Sequence, residues 1–480
     1  MLFNSFEFIF LFLPVVFIVY FILNKLNYTV SKIWLLGSSL FFYGWWNPSY
    51  LPLIISSLVV NYCVGTLVGK KFKTSTRKLI LTAGILFNVG LLGYFKYTDF
   101  LIANVNTVLS THFHLFHLAL PLAISFYTFQ QIAYLVDSYR METNEYNFLN
   151  YSLFVTFFPQ LIAGPIVHHK QIMSQFDDAT KRTIHFKNIA LGLFVFAIGL
   201  FKKVAIADQF SAWAVRGFDQ VPVLHFFDAW ATALSYTFQL YFDFSGYSDM
   251  AIGIGLLFNI ALPMNFNSPY KALNIQDFWR RWHITLSNFL TRYIYIPLGG
   301  NRKGIVLTYV NILIVFFVSG IWHGAGWTFV LWGILHGLAS VIYRFWNTNG
   351  YKMNRILAWF ITFNFINATW VLFRATSFSD AMKVYKGMLG LNGFGLADSL
   401  TFANIVSYKF TLIQTKLPES TLTITCYLLV FFLICVFARN SLELRDRYKP
   451  TWINIVFVSY LFLYSVFNLH KVSEFLYFNF

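Results

Sequence analysis

Charge is scarce in this sequence. Asp, Glu, Lys and Arg make up 11% of its 480 residues, against about 25% in a soluble globular chain. That is too little polar surface to clothe a water-soluble globule of this length, and the soluble class is excluded. Cysteine is scarce too: Cys63, Cys426 and Cys435 all lie in apolar runs without CxxC spacing. They read as buried apolar residues, so neither a disulfide framework nor a thiolate metal site is expected. No P-loop, GxSxG, HExxH or nucleotide-binding glycine pattern occurs, which argues against ATP-driven work. The opening "MLFNSFEFIFLFLPVVFIVYFIL" has no basic n-region and no small-x-small cleavage site, so it is expected to stay as the first span. Internal repeats, low-complexity tracts and a soluble domain are also missing.

Apolar and aromatic residues fill the space. The chain is 58% hydrophobic and 21% aromatic, with a mean hydropathy of +0.60. Apolar runs recur at 2–23, 33–46, 50–69, 79–95, 115–136, 188–206, 225–242, 250–264, 305–321, 326–344, 356–373, 421–438 and 451–469. We expect about 11–13 membrane segments, mostly helical, some re-entrant or broken. The fold class is therefore an all-α polytopic membrane protein, with residues 1–480 as one membrane domain.

The net charge of +16 does not indicate nucleic acid, because Lys and Arg gather in the cytoplasmic loops of membrane proteins. The loop "GKKFKTSTRK" (69–78) is acid-free and is placed inside. Three spans precede it, so the N-terminus is expected outside. Lys25 and Lys32 flank an inner turn, and the uncharged "NPSY" (47–50) an outer one. With "ARNSLELRDRYKP" (438–450) inside as well, span 451–469 carries the tail, 470–480, to the extracytoplasmic side.

Chemistry concentrates in polar insets. In "NFNSPYKALNIQDFWRRWHITLSNFLTRYIYIPLGGNRKG" (265–304), Asn274 is an N-cap with Asp277 at the third helical position, predicting a helix from about Ile275. On it Asp277 and Arg281 stand one turn apart and can pair. His283 falls one turn after Trp279 and one turn before Ser287. Arg280, Arg281, Arg292, Arg302 and Lys303 face one acid, Asp277, a pattern suited to an anionic cofactor or to lipid headgroups. A snorkelling interfacial helix has the same pattern.

His323, between Trp322 and Gly324 in "VSGIWHGAGWTFVLWGILHG" (318–337), ends a long apolar run where "GAG" lets the backbone break. Ionisable residues in a membrane usually face a cavity and are functional candidates. A neutral imidazole there can accept a proton from a hydroxyl; packing against a neighbouring helix is the alternative. His336 is read as structural. Asp243 and Asp249 of "YFDFSGYSDM" lie six apart, off a common helix face. They are expected to satisfy backbone or Arg partners around a Gly/Ser break. His112, His114 and His117 lack acidic or Cys partners, so interfacial packing is favoured over metal binding. His168 and His169 are placed at a cytoplasmic entrance. The stretch 375–420 reads as a surface loop with a short amphipathic helix.

Three stretches together, "FFPQLIAGPI" (157–166), 241–302 and 318–337, resemble the membrane-bound O-acyltransferases. The likeness is closest to the bacterial alginate O-acetylase branch, which includes the membrane subunit of peptidoglycan O-acetylation. It implies a helical bundle with tilted or re-entrant helices around a transmembrane tunnel. It also implies His323 as the catalytic histidine and His283 of "RRWH" as the family's second. Acetyl-CoA is the implied donor substrate, with Arg280, Arg281, Arg302, Lys303, Trp282 and Trp322 as its expected contacts; no bound cofactor and no metal are expected. The tail "SEFLYFNF" (473–480) resembles the group's Phe-x-Tyr-x-x-Phe motif, here Phe475, Tyr477 and Phe480, with Tyr477 as an acyl carrier. The implied partners are a separate periplasmic SGNH-type acetyltransferase and an extracytoplasmic polysaccharide, first peptidoglycan, then alginate or another exopolysaccharide. The implied location is the bacterial inner membrane. A secondary transporter, with His, Asp and Arg as proton relays, is the reading from a different class.

Overall fold

Hydrocarbon offers no hydrogen-bond partner, so a chain of this composition must satisfy its backbone within helices. The computed structural model describes residues 1–143, 147–394, 421–469 and 476, and among these no strand occurs. A wide-turned segment, Glu7–Phe12, leads into α1 (Leu13–Leu26). Asn27 then caps α2 (Tyr28–Gly44), accepting the Thr29 and Val30 N–H groups at 2.8 and 3.3 Å. α3 (Leu51–Gly69) and α4 (Thr74–Leu109) flank the basic loop. Next come α5 (Ile124–Tyr139), α6 (Phe148–Thr156), α7 (Phe158–Leu161) and α8 (His169–Asp177). α9 (Phe186–Phe201) passes through a wide turn, Lys202–Ala207, into α10 (Asp208–Val215), and α11 (Phe226–Leu257) follows. The polar inset folds as α12 (Ile275–Trp279) and α13 (Ile284–Leu290), ahead of a hairpin of α14 (Ile305–His323) and α15 (Trp327–Thr348). α16 (Arg355–Arg374), α17 (Phe378–Met388), α18 (Thr421–Phe437), α19 (Ser441–Asp446) and α20 (Trp452–Phe467) complete the order.

Seven of these helical stretches are long and apolar enough to cross a membrane, and two shorter apolar helices lie near the C-terminal end, so the chain is a multi-pass membrane protein. The basic segments share one face. Lys32 pairs with Asp177 at 3.1 Å, the Asn24 amide donates to Arg182 O at 3.3 Å, and Arg77 donates to the carbonyls of Val68 and Tyr139. These contacts tie the turn at 24–32 to the loop near 180 and the loop at 69–78 to the turn near 140, and α8 links the two groups, its Lys170 lying 3.6 Å from Glu142; we call this the basic face.

Several expectations need correction. The run 225–242 and the first half of 250–264 are one helix, α11, with no break at the Gly/Ser stretch. Asp243 and Asp249 meet lysines, not arginines, and Asp243 also takes a backbone partner, the Leu476 N–H: the wide turn aims Lys203 at Asp243 (2.7 Å) and Asp208 (2.8 Å), and Lys202 at Asp249 (2.7 Å). The run at 115–136 becomes helical only at Ile124. Cys63 and Cys426 face outward, and Cys435 alone of the three is buried. The helix from Ile275 stops at Trp279, and His283 sits in a left-handed kink (φ 45°) before α13. A β-carbon in that conformation is strained and needs compensation nearby.

α9 and α11 pack almost backbone to backbone. Gly192 faces Gly253 and Gly199 faces Gly246, and a β-carbon on Gly192 or Gly199 would lie 2.7 or 2.6 Å from the opposite glycine's carbonyl oxygen. Small residues at matching spacing are the usual way membrane helices gain van der Waals contact without a hydrophobic drive. This approach lets the lysine–aspartate pairs close. We predict that Gly253→Val overpacks the contact at a cost of about 1–3 kcal/mol. A lower thermal-unfolding midpoint of the purified protein in detergent is the expected result; an unchanged midpoint would show that the helices separate freely.

Candidate active site

His323 is the last residue of α14 and is buried. Its position follows from the α14–α15 hairpin, where Gly320 and Gly333 meet: a β-carbon on Gly320 would lie 2.5 Å from Phe329 O, and one on Gly333 the same distance from Phe316 O. The imidazole is walled by aromatic rings, with Trp322, Trp332 and Phe373 at centroid distances of 4.9, 5.2 and 5.1 Å. Trp322 stacks on Phe129 of α5 at 5.1 Å, with Phe126 at 5.6 Å and His283 at 6.2 Å. The two predicted histidines thus flank one tryptophan.

The kink at His283 is held by Asn265. Asn265 Oδ1 accepts from the Thr285 N–H at 3.3 Å and the Thr285 hydroxyl at 3.0 Å, and lies 3.1 Å from His283 Nδ1. A backbone N–H can only donate, so this oxygen is the acceptor and Nδ1 must carry the imidazole proton. Nε2 then keeps its lone pair. Phe244 of α11 meets the same ring edge-on at 4.8 Å. His336 is tied at both nitrogens: Nδ1 accepts from Trp279 Nε1 at 3.2 Å, and Nε2 lies 3.0 Å from Thr369 Oγ1. Both ring positions are committed to packing helices together.

Two of the cavities reach residues on either side of His323 in the chain, Ser319 in one and Gly324 in the other, and His323 itself lines neither. The larger, about 440 Å³, is lined by Trp279, Arg280, Tyr295, Phe316, Ser319 and Arg344, among others. Ser319 stands one turn before His323 on α14. The smaller, about 290 Å³, is lined by Lys96, Asp99, Leu118, Leu120, Gly324 and Phe329, among others. One lining thus holds two arginines, and the other holds Lys96, Asp99 and two leucines of the 110–123 connection.

The other predicted donor contacts are distributed differently. Arg280 is exposed at the larger cavity, whereas Arg281 is engaged with Asp277 (2.8 Å) and Asn267 O (3.3 Å). Arg302 and Lys303 are exposed on the loop before α14. Trp282 is buried in an aromatic cluster, 5.7 Å from Phe278 and 5.0 Å from Trp370. Phe475, Tyr477 and Phe480 lie outside the described residues. Sequence reading missed Arg344, Asn265 and Lys96, whose partners come from distant segments.

At the basic face, buried Asp137 gathers His168 (2.7 Å), His169 (3.0 Å) and the Tyr293 hydroxyl (2.8 Å) on one oxygen, with Arg292 (3.4 Å) and Arg140 (3.8 Å) at the other. The Asp and His ligand atoms lie within 4.8 Å of one another, as a metal would require. Two guanidiniums on the same carboxylate already balance its charge and would repel a divalent cation. The cluster is a clasp joining α5, the start of α8 and the segment after α13.

Residues 138–379 match the model of the membrane-bound O-acyltransferase family, and the chain is 49% identical, over all of its length and 98% of the relative's, to a peptidoglycan O-acetyltransferase of Helicobacter pylori. The chain belongs to the membrane-bound O-acyltransferase family. A "probable alginate O-acetylase AlgI" of Pseudomonas aeruginosa is 38% identical over 93% of this chain and 84% of its own. A teichoic acid D-alanyltransferase of Bacillus subtilis is 26% identical over 54% of this chain and 69% of its own. Membership makes this membrane-bound O-acyltransferase an enzyme that draws on an acyl donor, and the transporter reading gives way.

Asn265→Ala leaves His283 Nδ1–H and two Thr285 donors without their shared acceptor, a loss of about 1–3 kcal/mol. We expect O-acylation to fall by roughly tenfold or more if that loss is felt in the transition state. Ester quantification in a complemented deletion strain, at matched protein level, checks this; undiminished ester would detach the kink from the reaction.

Proposed function

We propose that the chain takes acetyl groups from cytoplasmic acetyl-CoA and passes them through the bacterial inner membrane to O-acetylate an extracytoplasmic polysaccharide, peptidoglycan first. The observation that carries this is the buried His323 at the end of α14, flanked in the chain by the cavity-lining residues Ser319 and Gly324, in a chain 49% identical end to end to a peptidoglycan O-acetyltransferase. The basic face is taken as cytoplasmic on the positive-inside rule, which puts both termini outside. Arg280 and Arg344 give the donor's phosphates a basic mouth at the larger cavity.

In the proposed reaction, neutral His323 accepts the proton of the Tyr477 hydroxyl as that oxygen attacks the thioester carbonyl. The new C–O ester bond forms, the C–S bond breaks, and the thiolate of CoA takes the proton back from the imidazolium. A phenolic ester keeps the acetyl group activated for a second transfer. Support for a tail at this site comes from Leu476, whose backbone N–H donates to Asp243 at 3.0 Å. The next residue of α11, Phe244, is the one that packs on His283. The second transfer is assigned to a separate SGNH-type partner outside the membrane.

The test is mass spectrometry of O-acetyl groups on peptidoglycan and on exopolysaccharide. The strains lack the gene or are complemented with wild type, His323→Ala or Tyr477→Phe. Peptidoglycan acetyl should vanish in the deletion and both variants and return with wild type. Normal acetylation with Tyr477→Phe would remove the carrier role alone. Loss confined to exopolysaccharide would move the acceptor to that polymer, in line with the AlgI likeness.

A further inference from the structure

An α-helix leaves its last four carbonyls without intrahelical donors. In α14 these belong to Gly320, Ile321, Trp322 and His323, and the helix ends inside the protein, where Trp322 and His323 are buried. Each of the four is met. Gly320 O accepts the Gly324 N–H at 3.4 Å. Ile321 O accepts the Tyr97 hydroxyl at 2.7 Å, and the Lys96 ammonium donates to Trp322 O at 2.5 Å and to His323 O at 3.2 Å. The third lysine donor reaches Ser125 Oγ at 3.4 Å, and Ser125 O in turn accepts from Trp322 Nε1 at 3.4 Å.

Two consecutive residues of α4 thus serve three carbonyls of another helix more than two hundred residues away in the chain. Neighbouring helical residues point about 100° apart. Lys96 and Tyr97 therefore grip the end of α14 from two directions, which fixes both its height and its rotation. A cation at a helix C-terminus also complements the helix dipole. Among the described residues, no carboxylate lies within ion-pair distance of Lys96. Its partners are the His323 turn and the Ser125 corner that braces Trp322.

We propose that Lys96 and Tyr97 are positioning residues of this acyltransferase: a cap supplied by α4 that fixes the end of α14 and with it the His323 imidazole. The inference rests on His323 being the base, and it adds residues that neither touch the donor nor react. A cap that only held the fold together would affect protein amount and thermal stability. A positioning cap affects turnover of protein that is folded and binds its donor normally.

The experiment measures kcat and KM for acetyl-CoA, by thiol release, in membranes containing the full chain. It compares wild type, Lys96→Met, Lys96→Arg, Tyr97→Phe and His323→Ala at matched amount. Lys96→Met keeps the length of the side chain and removes its donors; we expect kcat to fall by roughly 10- to 100-fold with KM unchanged. Lys96→Arg, which keeps charge and donors, should recover much of that loss. Tyr97→Phe removes one hydroxyl without changing shape and should lower kcat by about three- to tenfold. If Lys96→Met does not accumulate, Tyr97→Phe decides, and wild-type kcat in that variant overturns the cap. Wild-type kcat in Lys96→Met with an inactive His323→Ala overturns the cap and leaves the base in place. An active His323→Ala overturns the base itself, and the cap with it. A raised KM with unchanged kcat would make Lys96 a donor-binding residue and overturn the positioning role.

Discussion

Every polar backbone group inside hydrocarbon must find its partner in the protein. Long helices meet that demand automatically except at their ends, and this enzyme needs a helix to end inside. α14 stops at His323, with cavity-lining residues just before it (Ser319) and just after it (Gly324). Much of the surrounding architecture follows from making that interior terminus tolerable. The glycine contact between α14 and α15 brings the returning helix close, the aromatic rings of Trp322, Trp332 and Phe373 exclude water, and side-chain donors from α4 replace the missing helical ones.

A second interior irregularity obeys the same constraint. The chain breaks at 280–283, and the left-handed residue is His283, whose strain is offset by hydrogen bonds to Asn265. Without the break, Trp282 and His283 would follow the 3.6-residue pitch of α12. With it, Trp282 joins the ring cluster with Phe278 and Trp370, while His283 turns towards Trp322. The strained backbone and the buried imidazole coincide because a histidine aimed across the bundle cannot also continue the helix that carries it.

What was legible in the sequence was local. The Asn274 cap and the Asp277–Arg281 pair lie within one or two helical turns, so spacing alone reveals them, and both are present at 2.8 Å. His323 stood out because a polar residue next to "GAG" in an apolar run has few bland explanations. What stayed hidden was set by distant segments. Asp243, Ser245, Gly246 and Asp249 look like a helix break, yet α11 runs through them because Lys202 and Lys203 arrive from another helix and Gly199 lets the backbones meet. Lys96 looked like any membrane lysine, since nothing near it in sequence names two carbonyls and a serine as its partners.

The distribution of charge argues for a path with a direction. Arg280 and Arg344 lie on the cavity nearer the Asp137 clasp and the basic loops, where an anionic donor would enter. The second cavity is lined by Lys96, Thr98, Asp99 and apolar side chains, Leu118 and Leu120 of the 110–123 connection among them, a smaller space without an arginine. A large anion is attracted to one side and has no matching site on the other, while a neutral acyl group meets no such bar. On the proposed function, chemistry at this boundary would move the acyl group across and leave the charged carrier behind, without a continuous aqueous path.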